Sequence, residues 1–237
     1  AVFLGQYFQI GRGYSPTEAG LLTIPMMAGV LVSSTVAGRL VSKTGKVKPY
    51  IIAGVVLLTV GFLGLSLIDH KTSLIGVSLG MLAVGAGVGM SMQNLVLVLQ
   101  NTVSLSELGA ASGSITFFRS LGGTVGVSVL GAVLANQVSA KITDGLARLG
   151  VDPAAGDSGS GTLNIAAMPP QIQEVVRAAY GEATGHIFLI SAGIALVGVV
   201  ATLFLTPTRL RDSVDLAAEG GAGDAGDAGE RVPAAAG

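Results

Sequence analysis

The chain has 237 residues, half of them hydrophobic and only 11% charged, with a formal net charge of −1. Soluble domains carry about 25% charged residues, so this composition points to a polytopic membrane protein, and the near-zero charge excludes a nucleic-acid partner. No cysteine occurs, which excludes a disulfide framework.

Residues 1–10 are apolar but too short to span, and the chain opens on Ala1 rather than methionine. They read as the end of a truncated transmembrane helix, and the whole chain as the C-terminal piece of a larger protein. Charges then delimit four spans within 11–134, at about 19–41, 50–68, 74–100 and 111–134, and a last span at 185–206. Each is long enough to cross ~30 Å of hydrocarbon at ~1.5 Å per residue.

Orientation comes from the segment Gly38–Lys48, where Arg39, Lys43, Lys46 and Lys48 crowd between two uncharged stretches. Basic short loops stay on the cytoplasmic side. Alternation places 11–18, 69–73 and 135–184 outside, and 101–110 and the tail 207–237 inside. That tail is Ala, Gly and acidic residues, a composition expected to be disordered. In 135–184, Val138, Ile142, Leu146 and Leu149 recur at helical spacing, as do Ile172, Val175, Val176 and Ala179 after Pro169-Pro170. Between them Asp152-Pro153 and the Gly/Ser run 156–161 mark a flexible turn. The segment reads as a long extracytoplasmic loop, a solvated lid with helical parts; a substrate-capturing domain is the alternative.

Arg119 is the one charge placed well inside a predicted span, where an arginine is costly without a partner. Either it reaches a cavity and meets a carboxylate, or it snorkels to headgroups. Gln93, Asn94, Gln100 and Asn101 form an amide stripe near Met90 and Met92, either interhelical hydrogen bonds or a polar cavity wall. Gly85 and Gly89, and Gly122 and Gly126, have the small-xxx-small spacing of close helix packing, to which Gly113 and Gly123 are added. His70 and His186, in or beside outside loops, read as solvated. There is no metal constellation, no catalytic set and no phosphate-binding glycine loop, so no cofactor is expected and the chain is not read as an enzyme.

The run Gly38–Lys48 resembles the G-x-x-x-D-R-x-G-R-R/K loop of the major facilitator superfamily, in its second copy; Gly38, Lys43, Gly45 and Lys46 match by type. Gly109-Ala110-Ala111-Ser112-Gly113, followed by Phe118-Arg119-Ser120-Leu121-Gly122-Gly123-Thr124-Val125-Gly126, is similar to the fifth helix of the C-terminal half in fourteen-helix drug:proton antiporters. The resemblance implies an all-α membrane fold, the C-terminal helical bundle, with five full transmembrane helices and one truncated. It implies a multi-pass plasma-membrane protein with its C-terminus in the cytoplasm. The expected activity is proton-coupled efflux of drugs or amphiphilic metabolites by alternating access, powered by the proton gradient. The expected partners are a small-molecule substrate, the lipid bilayer and the missing N-terminal bundle.

Under that resemblance Gly38, Arg39, Ser42, Lys43, Gly45, Lys46 and Lys48 form a gating loop. Ser42 departs from it, since the family often has Asp there, which weakens any charge latch. Arg119, Gln93, Asn94 and Gln100 are the candidates for substrate or cavity. No Asp or Glu falls within the spans, so a proton-carrying carboxylate is expected upstream of Ala1. A transporter of another small solute, and a non-transporting sensor or scaffold, are the alternatives. An intramembrane enzyme is disfavoured because Arg119 alone offers chemistry at depth.

Overall fold

The computed structural model describes residues 2–104, 106–150 and 169–204, and all ordered structure there is helical. The order is α1 (Val2–Gln6), a π-helical turn (Tyr7–Gly11), α2 (Pro16–Leu22), α3 (Ile24–Thr44), α4 (Lys48–Ser66), α5 (Leu74–Thr102), α6 (Leu108–Arg148) and α7 (Pro170–Leu203). Five helical segments are long and apolar enough to cross a membrane: Pro16–Thr44, Lys48–Ser66, Leu74–Leu99, Leu108–Arg148 and Pro170–Leu203.

Local chemistry sets the breaks. Ser15 and Glu18 form a reciprocal capping box that starts α2. The chain is interrupted at Thr23, two residues before Pro25, because proline supplies no amide to the preceding turn. Gly38–Lys48, expected as a loop, is mostly helix. Gly38 to Thr44 are the last turns of α3, and only Gly45, Lys46 and Val47 connect to α4. Gly45 has φ +64° and its N–H donates to the Val41 carbonyl, a left-handed cap that costs glycine little. Pro49 sits in the first turn of α4, where its missing N–H costs nothing.

Small residues let the backbones close. α5 is the central helix. On one side Gly85 and Gly89 meet α3: a Cβ on Gly85 would lie 2.0 Å from the Met26 carbonyl oxygen, and one on Gly89 2.5 Å from that of Val30. On another side Gly87 meets Leu58 and Gly54 of α4, and Gly80 meets Leu65. α4 in turn packs on α7, with Phe62 and Phe188 stacked at 6.0 Å and Gly185 against the Ser66 and Ile68 carbonyls. The largest buried cluster joins Leu4, Tyr7 and Phe8 to Leu65, Val77, Met81 and Phe188.

Most of segment 135–184 that is described is helix. α6 runs on to Arg148, and α7 begins at Pro170 and continues unbroken through the last span. The two form a hairpin zipped by Leu134, Val138, Ala183 and Ile187. The amphipathic helix after Pro169-Pro170 is therefore fused to the last span. Gly181 and Gly185 do not interrupt it, because each is held against the backbone of residues 66–70. The turn expected at 152–161 and the tail 207–237 lie outside the described residues.

Candidate functional site

Contacts along the helices fix which residues share a level. Lys48 Nζ donates to the Leu203 carbonyl at 2.9 Å, at one end of the antiparallel pair α4–α7. At the other end Gly181 lies against the His70 amide. On the hairpin, Gln137 bonds His186 and Lys141 pairs with Glu182. Arg119 of α6 lies about 27 Å of helix from the Gln137 rung, on a stretch whose glycines meet nothing in the described chain. Arg119 and Lys141 are separated by about 33 Å of helix, close to the thickness of a bilayer core.

Two charge belts result. One holds Arg39, Lys43, Lys46 and Lys48 about the α3–α4 connection; the other holds Glu18, Asp69, His70, Lys71, Lys141 and Glu182. The expected span 111–134 lies within α6 (Leu108–Arg148), one of the helices long and apolar enough to cross a membrane. Arg119 is exposed, and no ion pair to it occurs among the described residues.

The other sequence candidates separate. Gln93 is exposed, but Asn94 is fully buried (0%), with its Nδ2 donating to the Met90 carbonyl at 2.7 Å and its Oδ1 without a partner. The amides thus do not share one open wall. The side chains of Gln100 and Asn101 lie outside the described residues. Ser42 donates to the Gly38 carbonyl of its own helix at 3.0 Å. Lys48 caps α7, where a cation suits the carbonyl end of the helix. Arg39 and Lys43 border an open concavity of about 610 Å³, lined by Thr35, Val36, Gly38, Leu40 and Ser42 as well, all from α3. It is one wall without an opposing one.

The glycines also divide. Gly85 and Gly89 are packing positions, but a Cβ on Gly113, Gly122, Gly123 or Gly126 would meet nothing within 4 Å. Along α6, Phe117, Phe118, Leu121, Val125 and Val129 are exposed as well, and so are Leu31, Val32 and Val36 of α3. Two apolar helices thus present faces that nothing in the described chain covers.

One constellation was not anticipated. His70, expected to be solvated, is largely buried, with Nδ1 2.6 Å from Asp69 Oδ1 and Nε2 3.0 Å from Glu174 Oε1. Arg12 donates to the His70 and Thr72 carbonyls at 2.5 and 2.8 Å, and Tyr7 to the Asp69 carbonyl at 2.9 Å. Apart from Asp69 its partners are far away in the chain, and only the shared level of the outer charges could have suggested the grouping. Among the described residues no three His, Asp or Glu side chains converge as a metal site.

The sequence pattern of the Major Facilitator Superfamily matches residues 1–138, more than half of the chain. The chain belongs to the major facilitator superfamily. It is 35% identical over 213 residues to an uncharacterized MFS-type transporter of Mycobacterium tuberculosis, covering 90% of this chain and 31% of that protein. It is 37% identical over 134 residues to the multidrug transporter protein MdtP of Bacillus subtilis, covering 56% and 25%. It is 36% identical over 149 residues to the multidrug resistance protein Stp of M. tuberculosis, covering 62% and 27%. The chain spans about a third or less of the length of these relatives. Membership accounts for the multi-pass helical fold, and superfamily proteins are in general transporters rather than enzymes.

Proposed function

We propose that this chain is the C-terminal helical bundle of a fourteen-helix transporter in the plasma membrane that exports drugs or amphiphilic metabolites against an inward proton flow. The observation that carries the reading is the uncovered apolar faces of α3 and α6, beside a tightly packed α4, α5 and α7. A bundle that rocks against a second bundle needs one closely packed side and one side whose contacts change. The names of the multidrug relatives support the substrate class.

In this reading the belt of Arg39, Lys43, Lys46, Lys48 and Arg119 is cytoplasmic, as is the C-terminal tail, and the belt of Asp69 and Lys141 is outside. Gln93 and the exposed face of α6 border the substrate path. Gly113, Gly122, Gly123 and Gly126 meet the second bundle. Arg39 and Lys43 set topology and make contacts between bundles as the cytoplasmic side closes. The coupling carboxylate lies on helices upstream of Ala1.

The test is proton-driven efflux of a fluorescent lipophilic cation from vesicles containing the full-length protein. Export that collapses with the pH gradient is expected. Flux indifferent to the gradient would remove proton coupling, and absence of flux for cations, anions and neutral amphiphiles alike would favour a sensor or scaffold.

A further inference from the structure

We propose that Asp69, His70 and Glu174 form a proton-binding site that tethers the first turns of α7 to the connection between α4 and α5. Both ring nitrogens of His70 face carboxylate oxygens, Nδ1 toward Asp69 and Nε2 toward Glu174. A neutral imidazole has one N–H and one lone pair, whereas the imidazolium has two donors. Only the protonated ring satisfies both contacts at once. In the neutral ring one lone pair would point at a carboxylate oxygen about 3 Å away, which is repulsive.

The surroundings decide which contact yields. Asp69 adjoins His70 in sequence and also accepts from the His70 amide at 2.6 Å, so it cannot leave. The backbone of 69–72 is clamped by Tyr7 and Arg12, and the Asp69 amide donates to Thr72 Oγ1. Glu174 is the exposed partner, on the first turns of α7, which also seat Val176 in the core and Arg177 against Gly13. When the proton on Nε2 passes to solvent water, Glu174 is the side chain that withdraws, and the start of α7 loses its ion pair to the α4–α5 connection.

The other charges facing the site are accounted for. Lys71 lies 3.7 Å from Glu174 but is itself exposed. From the π-turn side come Arg12 and the Tyr7 hydroxyl, both directed at backbone carbonyls. On α7 itself Arg177 lies against Gly13. None of these supplies the second donor that the ring needs. Because only the ring with two N–H groups satisfies both carboxylates, the tether depends on proton supply from the compartment it faces. Which compartment that is rests on the topology proposed above; the binding does not.

The experiment uses the full-length transporter in detergent, with any native cysteines replaced and spin labels at Ile75→Cys and Gln171→Cys. Double electron–electron resonance is recorded at about pH 5 and about pH 8, on either side of the histidine range. A single short distance is expected at the lower pH and a growing longer population at the higher. His70→Gln should give the longer population at both. An unchanged distribution in the parent, or a persisting response in His70→Gln, overturns the site. If His70→Gln does not fold, Glu174→Gln at an exposed position takes its place: loss of most of the response is expected, and a full response overturns the proposal. The readout needs neither substrate nor flux, so it stands apart from the transport assay.

Discussion

Gly85 and Met26 approach so closely that a Cβ at position 85 would lie 2.0 Å from the Met26 carbonyl oxygen. The atom in the way is backbone and cannot rotate aside. Gly85→Ala is therefore expected to push α3 off α5 and to cost about 1–3 kcal/mol, the usual range for overpacking a tight contact. Gly126, with nothing within 4 Å of its missing Cβ, is the contrasting position. Gly126→Leu should yield normal amounts of folded protein yet lower export, because the second bundle is its proposed neighbour. Fluorescence-detected size-exclusion chromatography beside an efflux assay separates the two. A stable Gly85→Ala, or full export from Gly126→Leu, would contradict these roles.

Lys48 carries a bond that its neighbours lack. Its ammonium donates to the Leu203 carbonyl at the end of α7, where a helix leaves carbonyls without intrahelical partners. Lys48→Ala should lower the thermal midpoint by an amount corresponding to about 1 kcal/mol. Lys43→Ala, at an exposed lysine with no such bond among the described residues, should leave the midpoint unchanged. Equal midpoints for the two variants would show that the cap contributes nothing.

The fold was legible because membrane helices announce themselves by uncharged length, and the sequence has long runs bounded by charges. Packing was less legible. The same G-x-x-x-G spacing occurs at Gly85/Gly89, where backbones touch, and at Gly122/Gly126, where nothing in the described chain does. Spacing records that two glycines share a face, not what lies opposite it. The depth of Arg119 was not legible for a related reason. Hydropathy assigns a window, whereas the level of a residue comes from the helix beside it, and that is visible only through rungs such as Lys141–Glu182. The surroundings of His70 were not legible because, beside the adjacent Asp69, Arg12 and Glu174 come from 58 and 104 residues away.

Asn94 is a buried amide with an unpartnered oxygen. A buried polar atom without a partner carries a desolvation cost of about 1–3 kcal/mol, and an apolar group of similar shape removes it. Asn94→Leu is expected to keep or raise the thermal midpoint and to leave export unchanged, since the residue has no open face. Gln93→Leu, at an exposed position on the proposed substrate path, should alter export with the midpoint unchanged. Loss of export in Asn94→Leu with folded protein intact would place Asn94 on the path after all.

Arg119 offers a direct test of the two charge belts. The chain contains no cysteine, so single cysteines introduced into it report their own surroundings once any upstream of it are replaced. Arg119 is exposed, and in the proposed topology it stands in the cytoplasmic belt with Lys48, where it can snorkel to water along its own helix. Arg119→Cys should therefore react with a membrane-impermeant thiol reagent from the same side as Lys43→Cys. Val129→Cys, about 15 Å further along α6 at an exposed position that the proposed topology puts deeper in the bilayer, should be protected by comparison. Reaction of Arg119→Cys as slow as that of Val129→Cys would put the arginine inside the hydrocarbon. A buried carboxylate partner from elsewhere in the transporter would then be needed to hold it there.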